Sequence, residues 1–116
     1  MSWSRLRPRQ GIDYVEAMTP MTVFYNDVDT VTARRAVSQL GYQSYASMRQ
    51  PLTETAWNAI PSTYIIFQGD IALPVSTQEL IAERANEVQR MQTSHSPFLS
   101  RPAALARLIR QALEAA

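Results

Sequence analysis

Two side chains in this 116-residue chain have types and settings suited to acid–base chemistry. Asp70 ends the stretch STYIIFQGD, and His95, the single histidine, sits in TSHSPFLSRP. A carboxylate beside an imidazole fixes which ring nitrogen carries the proton and leaves the other free to act as a general base. Each residue also has an ordinary reading. Gly-Asp is common turn chemistry, and a lone histidine is often a hydrogen-bonded surface residue. A histidine-rich metal site is excluded by the histidine count, and thiolate sites and disulfides by the absence of cysteine. No cofactor is expected.

The elements that would position these groups can be read from pattern. Tyr64, Ile65, Ile66 and Phe67 form an unbroken apolar run, which predicts a strand covered on both faces, as in a parallel sheet. Gly69 releases the chain and presents Asp70 past the strand's carboxyl end, the edge where open α/β sheets place ligands. Pro74 ends the loop, and Ser76 or Thr77 is expected to cap a helix whose sheet-facing side carries Leu80, Ile81 and Ala85. A second, half-polar strand is predicted over Glu87 to Gln92, nearer the sheet edge, with the helix as a right-handed crossover. His95 would then lie beside Asp70 above neighbouring parallel strands. Ser100 is expected to cap a last helix with Pro102 in its first turn, and Leu105, Leu108, Ile109, Ala112 and Leu113 give that helix an apolar stripe to pack on the sheet.

The pattern STYIIFQGDIALPVSTQELIAERA followed by MQTSHSPFLSRPAALARLI resembles the C-terminal part of an α/β-hydrolase, nearest to small esterases related to plant methylesterases and hydroxynitrile lyases. The resemblance implies that Asp70 and His95 occupy the acid and histidine positions of a triad whose chain order is serine, acid, histidine. The preceding stretch, PMTVFYNDVDTVTARRAVSQL through PLTETAW, resembles that subgroup's helical cap. The likeness runs from about Pro20 to the C-terminus. It implies a partial α/β-hydrolase fold: a helical cap over 20–60 and a β-α-β-α unit with two parallel strands over 61–116, preceded by residues 1–19, which lie outside the likeness and are expected to form a loose extension, as termini often do. In the cap, Asp29 or Thr30 would start a helix ending near Leu40 with Gly41 as its stop, Ser44 to Arg49 another, and Thr53 a third turn through Trp57. Tyr42, Tyr45, Met48, Leu52 and Trp57, with Ile71, would line a hydrophobic acyl pocket, or else simply pack against the sheet.

One part of the chemistry is missing from these residues. Such a hydrolase needs a serine on a G-x-S-x-G elbow and backbone N–H donors for the oxyanion. The chain's glycines are Gly11, Gly41 and Gly69, so the elbow cannot be written. Ser94 or Ser96, adjacent to His95, lacks the elbow geometry. Three readings follow. The chain is the cap and C-terminal portion of an enzyme that hydrolyses small carboxylic esters; or it is an inactive remnant serving as an interaction or regulatory module; or its parent is a hydroxynitrile lyase. In each, unpaired strand edges predict self-association or pairing with a complementary hydrolase fragment.

Composition narrows the classes. Hydrophobic content of 46% and charged content of 18% indicate a globular chain. A net charge of +1 favours neither nucleic acid nor an anionic membrane as partner, and no apolar run approaches a membrane span. Arg5, Arg7 and Arg9 form a basic end without the apolar core of a signal peptide. The expected compartment is the cytoplasm, and the segment reads as a loose, solvated end, with an anionic docking arm or a short transit sequence as the functional alternatives.

Overall fold

The computed structural model describes residues 3–9 and 12–115. Its chemistry-bearing half is built on two parallel strands, β4 (Thr63–Phe67) and β5 (Glu87–Met91), paired from Thr63 opposite Glu87 to Phe67 opposite Met91. Both run in one direction because the helix between them, α4 (Val75–Ala82), carries the chain back to the starting edge. Ile66, Met91, Ala82 and Ala72 form the core of this unit. Tyr64, Ile65 and Phe67 are only half-buried, so the strand predicted to be covered on both faces is fully enclosed at Ile66 alone.

Helix α4 differs from expectation in its phase. It starts after Pro74 without a side-chain cap, and its buried residues are Gln78 and Ala82, one turn apart. Leu80, expected to face the sheet, is 67% exposed. It lies two positions from each of those residues, about 200° round the helix, so it must point the other way once they face inward. Ile81 is also exposed.

The chain ends in α5 (Pro97–Ser100) and α6 (Pro102–Ala115). Pro102 opens α6 as expected, but Ser100 belongs to α5, where its hydroxyl faces the Ser96 carbonyl rather than capping α6. Leu105, Leu108 and Ala112 are half-buried, whereas Ile109 and Leu113 are exposed, so the apolar stripe is only partly covered.

The N-terminal segment, read from its charges as loose, forms a hairpin. Strands β1 (Ser4–Arg9) and β2 (Ile12–Ala17) pair antiparallel, and the short β3 (Gln43–Ser44) joins β2. Arg5 lies directly opposite Glu16, and its Nε donates to Glu16 Oε1 at 2.7 Å, a cross-strand pair that a count of arginines does not reveal. The side chains of Arg7 and Arg9 lie outside the described residues.

Between the hairpin and β4 lie α1 (Pro20–Val23), α2 (Thr30–Ser38) and α3 (Tyr45–Arg49). Asp29, one of the two expected starts, caps α2 by accepting from the Thr32 N–H at 3.0 Å, and Ser44, expected as the first residue of α3, caps that helix instead. Helix α2 stops at Ser38, short of Leu40 and Gly41. The turn expected from Thr53 to Trp57 is a single 3₁₀ turn over Ala56–Asn58 with no side-chain cap.

The molecule is open. It exposes 8347 Å², against about 6,400 Å² for a compact monomer of its size. Its radius of gyration is 16.0 Å, against about 13 Å for a compact chain of this length.

Candidate active site

Asp70 follows β4 through the turn Gln68–Gly69, and its carboxylate is used at both oxygens. Oδ1 accepts from the backbone N–H of Ala72 at 2.8 Å and of Leu73 at 3.1 Å. Oδ2 lies 2.9 Å from His95 Nδ1. With Oδ1 committed to two amides, the carboxylate cannot swing away from the imidazole. The Asp70 side chain is 2% exposed and that of His95 is 39% exposed, so the acid is enclosed while the ring stays accessible. Burial, aided by the Asp70 charge, pushes the Tyr64 hydroxyl above its ordinary range, which keeps that neighbour neutral.

The loops carrying the two residues are tied to each other. Gly69 N–H donates to the Thr93 carbonyl at 2.9 Å. A Cβ on residue 69 would lie 3.0 Å from that same oxygen, so only glycine allows this approach without displacement.

Three further residues hold the pair, and none was singled out by sequence reasoning. Gln78, 1% exposed, accepts from the Phe67 N–H at 2.8 Å and donates to the carbonyls of Phe67 at 2.9 Å and Leu73 at 2.8 Å. It thereby staples both ends of the turn that carries Asp70. Phe24 lies against the imidazole, ring centroids 5.1 Å apart with 33° between planes. Trp3 donates its indole N–H to the Ala72 carbonyl at 3.0 Å and meets Phe24 edge-on at 5.0 Å, which ties the hairpin to the acid loop. Gln78 was legible only as a polar residue one turn from Ala82 on the buried face. The other two act across long sequence separations that no local pattern records.

The six expected pocket residues are not gathered together. Tyr42 and Met48 line a cavity of about 330 Å³ with Trp3, Val15, Phe24 and Leu40. Phe24 is thus shared between that cavity and His95. Trp57 instead lines a separate cavity of about 210 Å³ with Thr63, Tyr64, Ile81 and Arg84, and the Arg84 guanidinium lies 5.8 Å over its ring. The reason is chain direction: Trp57 belongs to the 3₁₀ turn ahead of the start of β4, and Asp70 follows the strand's end. Leu52 and Ile71 are exposed, and Tyr45 pairs with Arg49 at 5.7 Å. Ser94 Oγ donates to Asp27, and Ser96 is buried. Among the described residues no cluster of His, Asp or Glu could hold a metal ion, and no helix is long and apolar enough to cross a membrane.

The acid and histidine thus sit together at the carboxyl rim of adjacent parallel strands, as the resemblance implied. The model of the alpha/beta hydrolase family matches residues 2–108. The chain belongs to the α/β-hydrolase family. The match takes in both hairpin strands, so the likeness extends beyond the expected start at Pro20. This α/β-hydrolase chain is 37% identical over 109 residues to "Alpha/beta hydrolase nvfD" of Aspergillus novofumigatus, covering 91% of the chain and 44% of that protein. It superposes on a polyneuridine aldehyde esterase mutant with a TM-score of 0.77 at 12% identity, covering 93% of the chain and 47% of the esterase. On a pyrethroid hydrolase from Sphingobium faniae JZ-2 the TM-score is 0.71 at 20% identity, with 96% and 47% covered. These structures share its fold, and the chain spans about half the length of each of these three proteins. It therefore carries a partial α/β-hydrolase fold.

Proposed function

We propose that this chain supplies the acid, the base and part of the substrate-covering region for hydrolysis of a small carboxylic ester, and that a complementary segment brings the nucleophilic serine and the oxyanion donors. The observation that carries this reading is the 2.9 Å contact of Asp70 Oδ2 with His95 Nδ1, with Asp70 Oδ1 anchored by two amides. Asp70 would keep the proton on Nδ1, leaving Nε2 unprotonated. A serine oxygen placed near Nε2 attacks the ester carbonyl carbon as its proton passes to that nitrogen. The C–O bond to the alcohol then breaks, and His95 returns the proton to the departing oxygen. Water repeats the two steps on the acyl-serine and releases the acid. The cavity lined by Phe24, Tyr42 and Met48, beside the imidazole, suits the apolar part of such an ester.

The open surface supports the complementary segment. One edge of β4 has no partner strand among the described residues, and the exposed area exceeds that of a compact domain by about 2,000 Å². A second reading, pairing without turnover as an interaction module, draws on this same surface.

The test combines the chain with a hydrolase segment carrying a G-x-S-x-G elbow, scored by p-nitrophenyl acetate hydrolysis and serine-directed fluorophosphonate labelling. The chain alone is expected to show neither. The pair is expected to show both, with turnover abolished by His95→Ala and reduced by up to about 10⁴-fold by Asp70→Asn. A stable but inactive pair selects the interaction module. Labelling of the chain alone, or turnover indifferent to His95, overturns the proposal.

A further inference from the structure

The loop between α1 and α2 touches the histidine loop at two points three residues apart: Phe24 lies on the imidazole, and Asp27 holds the residues before it. Asp27 Oδ2 accepts from the Ser94 N–H at 3.0 Å and from the Thr93 hydroxyl at 3.4 Å, and Asp27 Oδ1 accepts from the Ser94 hydroxyl. We propose that Asp27 is a positioning residue for His95, fastening the Thr93–Ser94 segment so that the ring keeps its Nδ1 bond to Asp70. This rests on the reading of Asp70 and His95 as orienter and base.

The physical case lies in what each group would do without the other. Thr93 and Ser94 are buried, so their donors have little access to water if the carboxylate is removed. Asp27 is itself exposed, so it keeps its charge at little cost while accepting these bonds. Burial acts to raise its pKa, but the Ser94 hydroxyl and N–H and the Ser100 hydroxyl outweigh that and hold it below the ordinary aspartate range. The other anchor of this segment, the Thr93 carbonyl, is bound from the acid loop by Gly69. The segment before His95 is therefore held from two sides, by the acid loop and by the α1–α2 loop. Loss of one hold frees the donors to turn toward solvent, and the imidazole moves with them, where a shift of a fraction of an ångström breaks its bond to Asp70.

The single histidine makes the effect directly readable. In the ¹⁵N-labelled full chain, the wild type is expected to show a protonated Nδ1 with a slowly exchanging proton. In Asp27→Ala that proton should exchange about tenfold faster or more, the size of one charge-assisted hydrogen bond, while β4 and β5 amide signals persist. Asp27→Asn, whose amide oxygen can still accept from the Ser94 N–H, is expected to recover part of the protection. Asp29→Ala is the control, since it removes the α2 cap and should leave the imidazole signals unchanged. If Asp27→Ala does not fold, Asp27→Asn and Ser94→Ala decide: faster Nδ1 exchange in both supports the assignment, and wild-type exchange in both overturns it. Wild-type exchange in a folded Asp27→Ala overturns it too. A wild type without a protonated Nδ1 would overturn the acid–histidine reading and this inference together, whereas failure of the Asp27 variants alone leaves that reading standing.

Discussion

Gln78 offers the sharpest test of how the acid loop is held. Its amide satisfies the Phe67 N–H, the Phe67 carbonyl and the Leu73 carbonyl at 2.8, 2.9 and 2.8 Å. These groups flank the Asp70 turn on both sides. Gln68 N–H donates across to Met91 of β5, so by strand alternation the main-chain groups of Phe67 face the other edge. Gln78 therefore closes part of the open edge of β4. Gln78→Met keeps length and volume but removes all three bonds. At about 1 kcal/mol net per bond, reduced because Phe67 and Leu73 are only half-buried and can partly rehydrate, the loss should be about 2–3 kcal/mol. Gln78→Glu retains an acceptor for the Phe67 N–H but sets a carboxylate oxygen against two carbonyls in a buried position. Its folded pKa should therefore lie above its unfolded value. An acid so shifted binds more protons folded than unfolded, so this variant should be least stable at neutral pH and regain stability as pH falls through the folded pKa toward the unfolded one. Urea denaturation followed by far-UV circular dichroism at two pH values measures both effects. A loss below about 0.5 kcal/mol in Gln78→Met, or a Gln78→Glu variant whose difference from wild type does not shrink on acidification, would refute the reasoning.

Other outcomes follow from the same contacts. Gly69→Ala places a methyl 3.0 Å from the Thr93 carbonyl; it should cost about 1–3 kcal/mol and speed hydrogen exchange at the residue-69 amide. Trp3→Phe keeps the edge contact with Phe24 but loses the indole bond to Ala72; a loss of about 0.5–1.5 kcal/mol in chemical denaturation is expected, without loss of far-UV signal. Because Asp27 is held below the ordinary aspartate range, its contribution is complete above that range and disappears as pH falls through its lower folded value. The stability difference between wild type and Asp27→Asn should therefore shrink on acidification, as read from denaturation midpoints across pH.

The parts of the fold legible in the sequence are those fixed by local chemistry. The run Tyr64 to Phe67, the cap at Asp29 and the short helix before Pro51 each carry their signal within a few residues, and each forms within a residue of where it is expected. The acid and histidine were legible because strand ends, glycine and family pattern coincide at Asp70, and the next strand ends just before His95. What was not legible depends on distant partners. The hairpin is secured by Trp3 on Ala72, 69 residues away, and by Arg5 facing Glu16 across the turn. Asp27 meets Ser94 across 67 residues. Leu80 is expected on the sheet-facing side of α4 because apolarity favours it, while unsatisfied main-chain groups at Phe67 and Leu73 select Gln78 and turn Leu80 outward. Of the expected pocket residues, Tyr42 and Met48 share a cavity with Phe24, whereas Trp57 lines a separate one at the start of β4, the end of the strand away from Asp70.

Across the 2.9 Å contact, Asp70 is expected to fix the proton of His95 on Nδ1. Imidazole ¹⁵N shifts of the one histidine, measured in mildly alkaline solution for the wild type and Asp70→Asn, test it most directly. A protonated Nδ1 and an unprotonated Nε2 are expected in the wild type, with that preference lost in Asp70→Asn. The same tautomer distribution in both proteins, or a proton on Nε2 in the wild type, would contradict it.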